Sequence, residues 1–139
     1  MQALQQISWL PVIVSAVVTF LLGGLWYSLL FKAAWVAAHG YTPEQMESMK
    51  KQGMAKPLLG TFLANLVTAA AFSILVSYLH LSAPIQGVKL GLLVWIGFVA
   101  TILLIRNFYS TVKFSGFMID ASYQLVFFAV IGCILTAWK

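Results

Sequence analysis

Apolar residues along this chain gather into four long runs, at about 9–31, 58–79, 88–105 and 117–138, divided by short polar stretches. A helix rises about 1.5 Å per residue, so about 20 apolar residues cross a hydrocarbon layer about 30 Å thick. Each run is close to that length, and Pro11 falls in the opening turn of the first, where its missing N–H costs little. The pattern predicts an all-α integral membrane four-helix bundle forming one transmembrane domain over residues 1–139. The links His80 to Gly87 and Arg106 to Gly116 are short, which makes consecutive spans antiparallel neighbours.

The link at 32–57 carries structure of its own. Phe31 to His39 keeps a helical composition up to Gly40, a helix-ending residue, so span one either continues past the lipid or bends near Gly23 and Gly24. Thr42-Pro43-Glu44-Gln45 then reads as a helix start, with a threonine cap, a proline in the first helical position and a glutamine at the capping-box position. That helix is expected to end at Gly53. Met46 and Met49 share one side of it beside Lys50 and Lys51, a pattern suited either to the headgroup layer or to an ordinary solvated loop helix.

Composition places the chain in lipid: of its 139 residues, 62% are hydrophobic and 8% charged, and the mean hydropathy is +0.96. The lipid bilayer is therefore its first partner. Eight basic residues against three acidic ones do not indicate nucleic acid, because they sit singly between apolar runs rather than on one face. They do set an orientation. Lys32, Lys50, Lys51, Lys56, Arg106 and Lys113 fall on one side, against Lys89 and Lys139 on the other, which puts the two richer links in the cytoplasm and both termini outside. Trp9, Tyr78 and Trp138 then lie at the outer boundary, with Trp26, Tyr27, Trp35 and Phe117 near the inner one. Met1 to Ser8 holds no Lys or Arg, so the first run is expected to be a retained span rather than a signal peptide. Cys133 alone allows no CxxC pair, intramolecular disulfide or cysteine metal site.

Small residues four apart mark faces where membrane helices approach closely: Ser15, Thr19 and Gly23 in span one, Gly60, Ala64 and Thr68 in span two, and Gly87 and Gly91 in span three. Such faces serve inside the bundle or between subunits. They imply packing and no chemistry.

Polar residues inside a span are the best functional pointers, since an unpaired one in hydrocarbon costs several kcal/mol. Arg106 ends span three and Asp120 lies one turn into span four, at the same inner level. Tyr123 and Gln124 follow Asp120 on one helix face. Asn65 sits eight residues beyond Pro57, about 12 Å inward at the helical rise, and Tyr27 reaches a similar depth. Two readings stand. Either these groups line a pocket open to the cytoplasmic leaflet with Asp120 as its buried acid, or Arg106 and Asp120 clamp two helices while Asn65 and Gln124 bond across the bundle.

Several chemistries are disfavoured. His39 and His80 lie at opposite membrane boundaries, about 30 Å apart, so one subunit cannot ligate a haem through both. No cofactor or metal is expected. Neither a Ser/His/Asp set at one depth, a Gly-rich phosphate loop nor paired carboxylates occur, which argues against a hydrolase. The glutamate that multidrug transporters of similar size carry in span one is missing here.

Gly24-Leu25-Trp26-Tyr27-Ser28, then Trp95-Ile96-Gly97-Phe98-Val99-Ala100, then Asp120-Ala121-Ser122-Tyr123 resemble recurring stretches in spans one, three and four of a family of small bacterial membrane proteins, domain of unknown function 1761. The resemblance covers nearly the whole chain. It implies a bacterial inner-membrane location, implies no particular activity, and gives weight to Trp26, Tyr27, Gly97, Asp120 and Tyr123. The expected function is binding or translocation of a small molecule or ion, with a lipid among the possible ligands. A homo-oligomer is expected because four short helices enclose little volume. The alternative is an accessory protein that packs against itself or a larger complex without a ligand.

Overall fold

The computed structural model describes residues 5, 7–53 and 55–138. Lys139, and residues 1–4 and 6 of the N-terminal stretch, lie outside the described residues. Among the described residues, six helices follow in order from Trp9: α1 (Trp9–Leu30), α2 (Lys32–His39), α3 (Pro43–Lys51), α4 (Ala55–Tyr78), α5 (Pro84–Phe108) and α6 (Phe114–Ala137). Of these, α1, α4, α5 and α6 are long and apolar enough to cross a membrane, which makes this an all-α, multi-pass membrane protein.

The local chemistry accounts for the ends of the short helices. At the start of α3, Gln45 N–H donates to Thr42 Oγ1 (3.2 Å) while Thr42 N–H donates to Gln45 Oε1 (2.8 Å), so both halves of the capping box form. Gly40 closes α2 with φ +71° and Gly53 follows α3 with φ +90°, left-handed conformations that cost a residue with a Cβ. The departure from a straight span one lies not at Gly23 and Gly24 but just beyond them. Trp26–Leu30 forms a π-helical turn, Phe31 N–H reaching back to Trp26 O at 2.9 Å, and Phe31 (φ −127°) breaks the direction before α2. A second π-helical turn, Trp95–Val99, interrupts α5.

α6 is the centre of the bundle. Its buried residues, among them Ile119, Ala121, Tyr123, Phe127, Phe128, Ile131 and Leu135, lie on several sides, and it packs closely against α1, α2, α4 and α5. α1 pairs in turn with α4, Phe20 meeting Phe62 edge to face at 5.9 Å. α5 is peripheral, burying only Gly87 and Gly91, and presents Leu93, Ile96, Phe98 and Ile102 outward, at little cost to a helix in lipid. Although α4 and α5 are joined by a short link, they are not among the closely packed pairs. The expectation that every consecutive pair of spans would be neighbours therefore fails for this one, because each packs on α6 instead.

Backbones touch where α5 crosses α6. A Cβ on Gly87 would run into Gly132 O, one on Gly132 into Gly87 O, and one on Gly91 into Phe128 O. Gly132 is the partner that the spacing pattern does not reveal. By contrast, Gly60 and Ala64 face outward on α4, Gly97 is exposed on α5, and a Cβ on Gly60 or Gly97 would meet nothing within 4 Å. Gly87→Ala and Gly132→Ala should each cost about 1–3 kcal/mol through overpacking, whereas Gly60→Ala and Gly97→Ala should leave the unfolding transition in detergent unchanged or slightly raised. Thermal or denaturant unfolding of the four variants in maltoside micelles checks this.

Candidate functional site

At one end of the bundle the C-terminal ends of α1 and α5 meet the N-terminal ends of α4 and α6, with α2 and α3 folded across them. Phe31 turns the chain into α2, and α2 is tied to α6 by Lys113 N–H donating to Ala38 O (3.0 Å). The approach is close: a Cβ on Gly116 would lie 3.2 Å from the Cβ of the buried Ala38. These elements enclose a cavity of about 860 Å³ within a single chain. All six helices contribute to its wall.

Asp120 stands in that wall. Tyr27 Oη donates to its Oδ1 at 2.6 Å, and Arg106 Nη2 lies 3.6 Å from its Oδ2. The carboxylate side chain is 17% exposed and that of Arg106 69%, so the arginine stretches from the boundary over an acid that is largely sheltered. A short bond from a hydroxyl and a nearby guanidinium offset the cost of holding the charge at this depth. Gln124, one turn further along α6, also lines the cavity, and its side chain has no hydrogen-bond partner among the described residues.

Behind this wall lies a second set of polar groups. Thr19 Oγ1 donates to Ser15 O (2.8 Å) and accepts from Asn65 Nδ2 (3.3 Å), while Tyr123 Oη donates to Thr19 O (2.9 Å). Thr19 thus joins α1, α4 and α6. Gly23 makes this possible, because a Cβ there would sit 3.0 Å from Tyr123 Oη. The row Ser15, Thr19, Gly23 continues at Tyr27, all on the face of α1 turned toward α6.

Both π-helical turns open on a tryptophan that grips α6. Trp26 Nε1 donates to Ile119 O (3.3 Å) from one side, and Trp95 Nε1 donates to Ala121 O (2.8 Å) from the other. The two carbonyls flank Asp120 in sequence, so the indoles fix the turn of α6 that carries the acid. The wide turn alters the spacing of side chains around the helix axis, and in α1 it contains Tyr27 and Ser28, which line the cavity.

Of the residues expected at a ligand site, Tyr27, Arg106, Asp120 and Gln124 line the cavity. Trp26, Asn65 and Tyr123 do not; they bond the helices behind it. Residues from the link complete the wall: Lys32, Trp35 and His39 of α2 with Met46, Met49 and Lys50 of α3. Of these, the Met46, Met49 and Lys50 side of α3 was legible as an amphipathic face, but not that it closes over the spans. His39 is engaged in the wall itself, its Nδ1 2.9 Å from Trp35 O and its ring 4.0 Å from the indole. Among the described residues no group of three His, Cys, Asp or Glu is placed to hold a metal ion.

The geometry defines a multi-pass helical membrane protein with a cavity at one end, its wall mostly apolar with charged groups set into it. Residues 10–136 match the family described as "Protein of unknown function (DUF1761)", and the chain belongs to that family. No curated protein and no solved structure matches it significantly.

Removing the Tyr27 hydroxyl leaves Asp120 short of a partner, so Tyr27→Phe should destabilise by about 1.5–3 kcal/mol. Trp95→Phe should cost about 1 kcal/mol and Trp26→Phe, with its longer bond, less. Denaturant unfolding in mixed micelles gives the order Tyr27, Trp95, Trp26 if these bonds hold α6 as described.

Proposed function

We propose that this protein binds a small amphipathic molecule in the cavity at the charged end of its bundle. The cavity itself carries the reading. Its volume falls in the range that holds drug-sized ligands, and its lining is divided. Asp120, Gln124, Arg106, Lys32 and Lys50 supply polar groups, while Met46, Met49, Leu58, Leu103 and Phe117 supply apolar surface. Methionines adapt to ligands of irregular shape. One copy of the chain forms the cavity, so binding does not wait on assembly.

The excess of basic residues at this end supports a cytoplasmic position for it, with both termini on the outer side of a bacterial inner membrane. A fusion reporter at each terminus tests that orientation. A second reading, packing against another copy or a larger complex, is favoured by the outward Gly60 and Ala64 strip on α4, where another helix could approach closely.

Native mass spectrometry of protein released from mild detergent decides between the readings. Binding predicts a retained small-molecule adduct that Thr61→Trp, a cavity-filling change at an exposed lining position, removes without lowering the melting temperature. No adduct, together with a stable dimer or higher oligomer that Gly60→Leu dissociates, would instead support the packing role.

A further inference from the structure

We infer that the molecule held in the cavity is an anionic amphiphile, its acidic head between Lys32, Lys50 and Arg106 and its tail along Met46, Met49, Leu58 and Leu103. The inference rests on the reading that the cavity binds a small molecule, and it fixes the sign of that molecule's charge.

Three cationic side chains line the cavity against one acid. The acid is already engaged, by Tyr27 Oη at 2.6 Å and by Arg106 at 3.6 Å, so little of its charge is left to attract a cation. Lys32 and Lys50 have no acidic partner among the described residues. They also arrive from different helices, one at the start of α2 and one near the end of α3, so their convergence is a product of the fold.

The arrangement of α3 points the same way. This helix carries Glu44 and Glu47 as well as Lys50 and Lys51, yet only Met46, Met49 and Lys50 line the cavity. Both of its acids are kept out of the wall. Most of the wall's surface is apolar, and the basic groups lie at the end where a membrane meets water, the arrangement by which basic pockets between membrane helices hold acidic head groups. The aromatic groups in the wall do not form an open cage for an ammonium ion: Trp35 packs against His39 with ring centres 4.0 Å apart and planes tilted by 36°, and edge to face against Tyr27 at 6.1 Å.

An acid with an apolar tail could come from the bilayer, as an acidic phospholipid, or from solution, as a free fatty acid. The test is a titration of the full chain in neutral maltoside micelles, followed by tryptophan emission and native mass spectrometry. Four probes are compared: dioleoyl phosphatidylglycerol, oleate, dioleoyl phosphatidylcholine and dodecyltrimethylammonium. The expected result is binding of phosphatidylglycerol, oleate or both at least tenfold tighter than the other two, and whichever acid binds identifies the source. Lys32→Gln and Lys50→Gln should each weaken it about fivefold, and Lys32→Arg and Lys50→Arg should restore it. Both lysines are exposed, so the variants are expected to fold, and the arginine changes control for packing. Preferential binding of dodecyltrimethylammonium, lost in Asp120→Asn, would overturn the anionic assignment while leaving a ligand-binding cavity. Acid binding that ignores both lysine changes would also overturn it. If no probe binds and no adduct co-purifies, the inference and the reading beneath it fall together.

Discussion

The peptide backbone of α6 meets that of α5 between Gly132 and Gly87, and two indole-to-carbonyl hydrogen bonds hold it at another turn. Lipid gives helices no hydrophobic reason to associate, so a bundle of this size depends on surfaces that allow backbones to touch and on polar groups that close on one another. Here both are concentrated on one helix. α1, α4 and α5 are arranged around α6 rather than around a shared central axis, and α5 can leave its outer face exposed because it lies so close along α6.

This central position explains how a carboxylate comes to lie inside the membrane end of a small protein. Trp26 and Trp95 bond the carbonyls of Ile119 and Ala121 from opposite sides, and the residue between those carbonyls is Asp120. The π-helical turns that begin at the two tryptophans are irregularities of the kind often found at functional sites. One of them also delivers Tyr27 to the acid. Three stretches by which the chain resembles its family thus converge on a single point: two supply the indoles and the tyrosine, the third the acid and Tyr123.

The cavity is built outward from this point. Asp120 and Gln124 form its floor on α6, and the turn at Phe31 folds α2 back so that Lys32 and Trp35 become wall rather than tail. α3, capped by Thr42 and Gln45, adds a face of Met46, Met49 and Lys50. The polar residues are therefore divided between two layers. Asn65, Thr19 and Tyr123 satisfy one another deep in the bundle, and the groups nearer its end face open space.

Hydropathy alone determined the four helices and their antiparallel course, because a backbone in hydrocarbon has no other way to satisfy its own hydrogen bonds along 20 or so residues. The capping box at Thr42 and the glycine stops at Gly40 and Gly53 were equally legible, being local chemistry within a few residues of chain. Depth counting brought Asp120 and Arg106 to one level but set Tyr27 with Asn65, whereas Tyr27 bonds Asp120. Tertiary structure decided the rest, namely which helix stands at the centre, that Gly132 answers Gly87, that the irregular turns fall at tryptophans rather than glycines, and that Lys32 and Lys50 line one cavity. Those features depend on how each helix is rotated about its axis. In lipid, where an apolar residue may face inward or outward at similar cost, hydrophobic pattern carries almost no record of that rotation.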